Sequence, residues 1–410
     1  FPPLLLIIGH AVVSSARTAR ALGLALGAIT AAQLLTGEEM LGMAALTAVI
    51  GGTVLFLMRP AAAWGHRRRV QSVLAWSMVT FIPLAAVPLA VQFAGPQRPA
   101  GTLHEDVAGF RNDLLTFVLP STLQALDPPQ LQDLSAVVSG GENIGYVGVP
   151  LLLLSGVAIL RFRRDPVAAW AASTALGLLL LSLGDTLRVD GRLTWIPMPW
   201  RVLEHVPLLG NTLAPRLMVG AYLLVGIVLA AAFGAGSWRR PRLIMVVGAL
   251  GLVALLPPLT YPAGRNDVPA FFRRGGVNHL NPGDVAVVTP LVLGASETML
   301  WQASADMRFR MPGGYMFIPG PGTNLLYAQP SPLRNALNDA ASGLTPTTLD
   351  GNTRQAMARD LAHWSARAII VGPTANAPQV LAFVTELMRR PPEASGGVYV
   401  WWDVEPSQVL

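Results

Sequence analysis

AAQLLTGEEMLGM, residues 31–43, sets two adjacent carboxylates, Glu38 and Glu39, between two long apolar runs. Charge at such a point is costly unless it lies at a membrane surface or in a wet cavity. The runs on either side are each near the length at which a helix crosses a hydrocarbon core of ~30 Å. The stretch therefore reads as a short turn, residues 37–40, joining two membrane helices at one face of a bilayer.

The rest of the chain supports that reading. Of 410 residues, 52% are hydrophobic and 13% charged, and the mean hydropathy is +0.49. A soluble domain carries about 25% charge. The deficit is concentrated before residue 261. Apolar segments fall at about 2–14, 21–36, 41–58, 71–94, 147–161, 167–184, 215–235 and 243–260, which predicts seven to eight transmembrane helices. Segment 2–14 follows no basic region and makes a poor signal peptide; the chain reads as beginning inside a longer protein, part way through a helix.

Arginines gather in four short connections: Arg17 and Arg20; Arg59 and Arg67 to Arg69; Arg161, Arg163 and Arg164; Arg239, Arg240 and Arg242. By the positive-inside rule these face the cytoplasm. The intervening loops, 37–40, 95–146 and 185–214, then lie outside, as does the C-terminal part. The net charge of +6 is accounted for by these loops. It forms no basic helix with interleaved aromatics, so nucleic acid is not an expected partner. With no cysteine there is no disulfide and no thiolate chemistry. The histidines lack ligand spacing, so no metal site is argued, and no Walker-type loop is present.

From about residue 261 the pattern changes. Strands are expected at 284–290, 367–373 and 397–404, helices at 296–307, 353–366 and 377–390, and loop over 308–350. Alternating strands and helices predict a C-terminal α/β domain, 261–410, beside a helical domain, 1–260.

The outer loops supply the candidate residues. Glu38 and Glu39 either cap a helix hairpin, where acidic groups suit the dipole, or one of them faces a cavity as a base. GENIGYVGVP (141–150) offers Glu142, Asn143 and Tyr146 as a polar wall for a sugar, or a loop packed on itself with Glu142 as a cap. Trp195 and Trp200 suggest an amphipathic segment in the membrane interface. Arg216 follows Pro215 at the start of a helix, a place for a lipid phosphate or for a snorkelling side chain. VWWDV (400–404) lies in an expected strand and is given no catalytic role.

AAQLLTGEEML (31–41), PLAVQFAGPQRPAG (88–101), NDLLTFVLPSTLQAL (112–126), ENIGYVGVPLLLL (142–154), the run LLSLGDTLRV to NTLAPRLMV (180–219) and MLWQASADMRFRMPGGYMFIPGP (299–321) together resemble a family of actinobacterial multi-pass membrane proteins. That family is placed among the GT-C-type glycosyltransferases. The resemblance is a diffuse pattern over nearly the whole chain. It implies sugar transfer at the outer face of the plasma membrane, from a polyprenyl-phosphate sugar to a glycan or lipid acceptor of the cell envelope. A divalent metal is used by some such enzymes and not others. The family's usual catalytic carboxylate lies in a first outer loop that this sequence lacks, so the base is not carried over; Glu39 and Glu142 are the candidates. Arg216 matches a lipid-phosphate contact, and Asn143, Tyr146 and Trp200 are candidates for sugar or acceptor binding. The rival expectation is a non-catalytic membrane protein that binds or translocates a lipid-linked glycan.

Overall fold

The computed structural model describes residues 2–14, 17–95, 110–134, 142–143, 145–206, 209–234, 240–258, 267–291, 297–315, 317–319, 324–326, 330–344 and 349–410. The chain divides into two compact units. The first comprises residues 1–98 and 102–261, the second 99–101 and 262–410.

The first unit is helical. Its principal helices are α1 (Pro2–Ser14), α2 (Ala19–Thr36), α3 (Glu38–Met58), α4 (Pro60–Gly65), α5 (Arg67–Ala94), α6 (Val149–Phe162), α7 (Pro166–Ser182), α8 (Met218–Gly234) and α9 (Pro241–Ala254). Within the described residues, each apolar segment read from the sequence contains a helix. Four of the helical runs, Ala19–Thr36, Glu38–Met58, Arg67–Ala94 and Ala214–Gly234, are long and apolar enough to cross a membrane, consistent with a helical membrane protein. The apolar helices α1, α6, α7 and α9 are shorter, at 10–17 residues.

Close packing in this unit depends on small residues. Gly23 and Gly27, four apart on α2, face Trp76, the Val73 carbonyl and Ser77 on α5 so tightly that a Cβ at either position meets backbone or side-chain atoms. Helices pack in lipid through such small-residue faces, because apolar burial alone gains little there. The largest core cluster of this unit joins α7 to α8 and the turn before it through Ala171, Leu178, Leu217, Ala221, Leu224 and Val228.

Two segments read as loop or turn are ordered differently. The turn expected at 37–40 contracts to the single residue Gly37. Glu38 and Glu39 belong to the first turn of α3, where a carboxylate meets the positive end of the helix dipole. Within 185–214 lies a hairpin, β1 (Thr186–Val189) and β2 (Arg192–Pro197), paired antiparallel. Asp190 and Gly191 form its two-residue turn at φ 53° and 72°, the left-handed pair that a tight hairpin requires.

The second unit contains a four-stranded sheet in the order β3 (Val285–Thr289), β6 (Ala366–Val371), β8 (Val398–Trp401), β7 (Glu393–Ser395). β3 and β6 are parallel; the other two pairs are antiparallel. A separate hairpin pairs β4 (Phe317–Pro319) with β5 (Asn324–Leu326). The strands alternate between two cores. Val287, Ile369, Val371 and Trp401 enter one, with helices α11 (Pro332–Ala341), α12 (Gly351–Trp364) and α13 (Ala377–Met388). Ala286, Val288, Ala368 and Ile370 enter the other, with Phe271, Phe272, Phe309 and Trp301 of α10 (Glu297–Ser304). Both faces being covered explains the nearly continuous apolar runs in β3 and β6. The loop expected over 308–350 is broken by α11. Ser331 caps it, accepting from Arg334 N, Pro332 takes the first position, and Leu333, Ala336, Leu337 and Ala340 are buried at helical spacing.

Candidate functional site

Three residues proposed separately from the sequence meet at one place. Glu39 opens α3, Arg216 lies in the 3₁₀ turn Ala214–Leu217 that leads into α8, and Glu142 lies seven residues before α6. The Arg216 guanidinium binds both carboxylates. Its Nε and Nη2 donate to Glu142 Oε2 and Oε1 at 3.0 and 2.7 Å, a two-pronged contact that fits the planar fork. Its Nη1 donates to Glu39 Oε2. Glu39 Oε1 also accepts from the Leu213 backbone N–H at 3.1 Å. Two carboxylates and one guanidinium leave the cluster with a formal charge of −1.

The cluster is wet rather than sealed, with side chains between a quarter and two fifths exposed. The hydrogen bond from Arg216 holds the Glu142 carboxyl below its ordinary value, against a smaller opposing effect of burial. Glu38, the other carboxylate of the pair, turns to α5 and accepts from Gln92 Nε2 at 2.7 Å. The two adjacent glutamates thus do different work. One ties the α2–α3 hairpin to α5; the other joins the arginine.

A second polar knot lies in the same unit. Asp113 is fully buried. Its carboxylate accepts from the backbone N–H of Leu115, Asp190 and Gly191 at 2.9, 3.2 and 2.7 Å and lies 3.8 Å from Arg188 Nε. Arg111 pairs with Asp185 at 2.7 Å. The Asn112 N–H donates to the Ser182 carbonyl, and the Phe117 carbonyl accepts from Val147 and Gly148. Residues 110–118 therefore bind the end of α7, the hairpin and the start of α6 into one frame. The sequence reading passed over Asp113, Arg111 and Asp185. The signal available was VDGR (189–192), a hairpin turn whose exposed N–H groups call for a nearby acceptor.

The expected sugar-binding aromatics are corrected. Trp200 is 5% exposed and sits in the core cluster with Phe117, Val147 and Leu217, so its face is not open to a ring. Tyr146 is 9% exposed; burial pushes its phenol pKa up, and its carbonyl accepts from Tyr222 Oη at 2.9 Å. Trp200 is expected in an interfacial segment and Tyr146 in a polar wall, but the apolar body of each is taken up by the helix packing. Asn143 remains a candidate, with Oδ1 buried and without a partner. Trp195 is 90% exposed on β2. Much of the loop 95–146, including residues 96–109, 135–141 and 144, lies outside the described residues. Among the described residues, no group of three or more acidic, histidine or cysteine side chains is arranged to hold a metal ion. VWWDV contributes its first two residues to β8, with Trp401 buried and donating to the Arg390 carbonyl at 2.9 Å. Compared with family models, curated proteins and solved structures, the chain matches none.

Proposed function

We propose that the protein is a GT-C-like membrane glycosyltransferase, with seven to eight spans and a C-terminal α/β domain outside the plasma membrane. It moves a sugar from a polyprenyl-phosphate donor to an envelope acceptor. The observation that carries this reading is the convergence of Glu39 at the start of α3, Arg216 in the turn that leads into α8 and Glu142 in the segment before α6. It supports the proposal because phosphate departure needs a fixed cation and hydroxyl attack needs a carboxylate within reach.

The charge of the cluster dictates the order of events. At −1 it repels a phosphate, so the donor binds by exchange. Its phosphate takes the two-pronged position on Arg216 that Glu142 occupies in the free protein. While paired, Glu142 has a lowered pKa and is a weak base. Released, it regains its ordinary basicity. The acceptor hydroxyl oxygen then forms its bond to the anomeric carbon, and its proton passes to Glu142. The bond from the anomeric carbon to the phosphate oxygen breaks, and the electron pair leaves with the lipid phosphate, held by Arg216. Glu39 keeps its bond to Arg216 and aims the guanidinium throughout.

Radiolabelled polyprenyl-phosphate sugar, with the protein in nanodiscs, tests the scheme. Glu142→Gln is expected to retain donor binding and lose roughly 10²–10⁴-fold in turnover, the usual worth of a general base. Arg216→Gln is expected to lose donor binding. Donor binding by the unaltered protein without transfer to any envelope acceptor would instead favour the non-catalytic binding or translocating protein.

A further inference from the structure

The helical unit carries a charge imbalance that the Arg216 cluster does not touch. Arg17 and Arg20 lie where α1 gives way to α2, and Arg59, Arg67, Arg68 and Arg69 lie where α3 gives way to α4 and α5. Arg69 ties the two connections together. Its Nε donates to the Val12 carbonyl at 2.9 Å and its Nη2 to the Arg17 carbonyl. Before Glu105 the chain has no acidic residue other than Glu38 and Glu39. Those two open α3, which Arg59 follows, so the 21 residues of that helix separate them. Its length is about 30 Å, well beyond a Debye length of about 8 Å. Among the described residues none of the six arginines forms an ion pair.

One arginine of the group is held ready for a ligand. Arg67 is the first residue of α5, whose run Arg67–Ala94 is long and apolar enough to cross a membrane. Its Cζ stands 4.8 Å from the centre of the Trp64 ring, within cation–π range, and its Nη1 donates to the Trp64 carbonyl at 3.0 Å. These contacts fix the guanidinium and leave its Nε–Nη2 edge without a partner among the described residues. Arg216 grips Glu142 with that same edge of its own guanidinium, and the edge suits two oxygens of a phosphate. Val70, Leu74 and Met78 follow Arg67 along α5 at helical spacing, so they share its face, and all three are exposed. Trp64 is exposed as well. A cation above a strip of uncovered apolar side chains, beside an exposed tryptophan, is the pattern of a membrane–water boundary. A charge that only sets topology has to stay in water; it needs neither a stacking partner nor a fixed fork.

We propose that this end of the helical unit seats one anionic phospholipid. The Nε–Nη2 edge of Arg67 takes two oxygens of the phosphodiester, Arg59 and Arg68 add charge from either side in the chain, and an acyl chain lies along Val70, Leu74 and Met78. The surplus of positive charge selects the headgroup. A net-negative phosphodiester neutralises it, whereas the ammonium of a zwitterionic headgroup is repelled. The site uses no residue of the Arg216 cluster and does not depend on the transferase reading.

The test is native mass spectrometry of the full chain in detergent, titrated with phosphatidylglycerol or with phosphatidylcholine of the same acyl chains. The unaltered chain is expected to retain phosphatidylglycerol severalfold better. Arg67→Gln is expected to bring its retention down to that of phosphatidylcholine. Arg163→Gln combined with Arg164→Gln, which removes two charges from the connection between α6 and α7, is expected to leave it unchanged. Glycerol 3-phosphate, the same phosphate without acyl chains, is expected not to displace the lipid. Four results would overturn the proposal: equal retention of the two lipids, full retention by Arg67→Gln, an equal loss in the Arg163 and Arg164 double variant, or displacement by equimolar glycerol 3-phosphate. Trp64→Leu, at an exposed position, keeps the experiment decisive if Arg67→Gln does not fold: it is expected to lower phosphatidylglycerol retention severalfold, and full retention there would equally overturn the proposal.

Discussion

The two units use the same apolar side chains in opposite directions. In the helical unit Leu57, Val87 and Leu160 point outward and are each more than two thirds exposed. In the second unit Val371, Val380 and Leu387 are fully buried, and the sheet is covered on both faces. Soluble proteins seldom show apolar area that is both large and contiguous. The helical unit thus carries the outward apolar surface expected of a helical membrane protein, while the second unit closes its core within the chain. The lesson is that burial within the chain accounts for the apolar side chains of the second unit but leaves many of those in the first uncovered.

Substitutions break or sharpen this contrast, and the largest effect is expected deep in the second unit. Phe383→Ala on α13 should cost about 3–5 kcal/mol, as large-to-small core changes do. It should be seen as lost hydrogen-exchange protection in β6 and β8, with α2 to α5 unchanged. Next comes Val79→Arg, at an exposed position midway along α5. On a water-facing helix this change is nearly neutral. At the centre of a membrane span it should cost about 2.5–3.5 kcal/mol, read as failed integration in a glycosylation-tagged insertion assay. Normal insertion would remove α5 from the spans.

Asp113→Ala should cost about 2–3 kcal/mol, because three backbone N–H groups lose a charged acceptor. Exchange in 186–197 should rise first, while the second unit keeps its protection. Smaller still is the pH response of the Arg216 cluster. A carboxyl whose folded pKa is depressed stabilises the fold above its unfolded pKa and loses that contribution as pH falls through the folded value. For Glu142 the ordinary value is 4.5. The cluster should therefore be intact at neutral pH and weaken only as the pH falls below that ordinary value, by about 1 kcal/mol or less, since its partners are partly exposed. Glu142→Gln should flatten that slope in an acid titration of the helical unit. The smallest effect is expected for Leu344→Arg, on the exposed surface of the second unit, at about 0.5 kcal/mol or less in a urea titration.

How much of this was legible in the sequence follows from range. Apolar runs report a helix from its own residues, so all eight positions were found. VAVVT (285–289) and ARAIIV (366–371) were readable as buried strands for the same reason. The helix at Pro332–Ala341 was missed because its apolar spacing spans under three turns inside a stretch rich in Gly, Pro and Asn. The hairpin at 186–197 was hidden by Trp195 within it and Trp200 after it, which drew the reading toward the interface. At the candidate site each of Glu39, Glu142 and Arg216 was picked on local grounds. That they share one guanidinium was not readable, because pairing across 74 and 177 positions is set by how helices pack. Trp200 and Tyr146 failed for the converse reason: residue type names what a side chain can do, and packing decides whether it is reached.

The arginine cluster also has a consequence for biogenesis. Glu39 leaves the ribosome 177 residues ahead of its cation. At ~5–20 residues per second that interval is roughly 10–35 s. Throughout it, Glu39 has no Arg216 to neutralise it, so an α2–α3 hairpin entering a membrane would keep its single-residue corner in the aqueous phase. The bond to Arg216 forms only when α8 arrives, and it then joins the early hairpin to the late helix. The carboxylate that would hold the corner out of lipid early is thus the same group that later ties α3 to the start of α8.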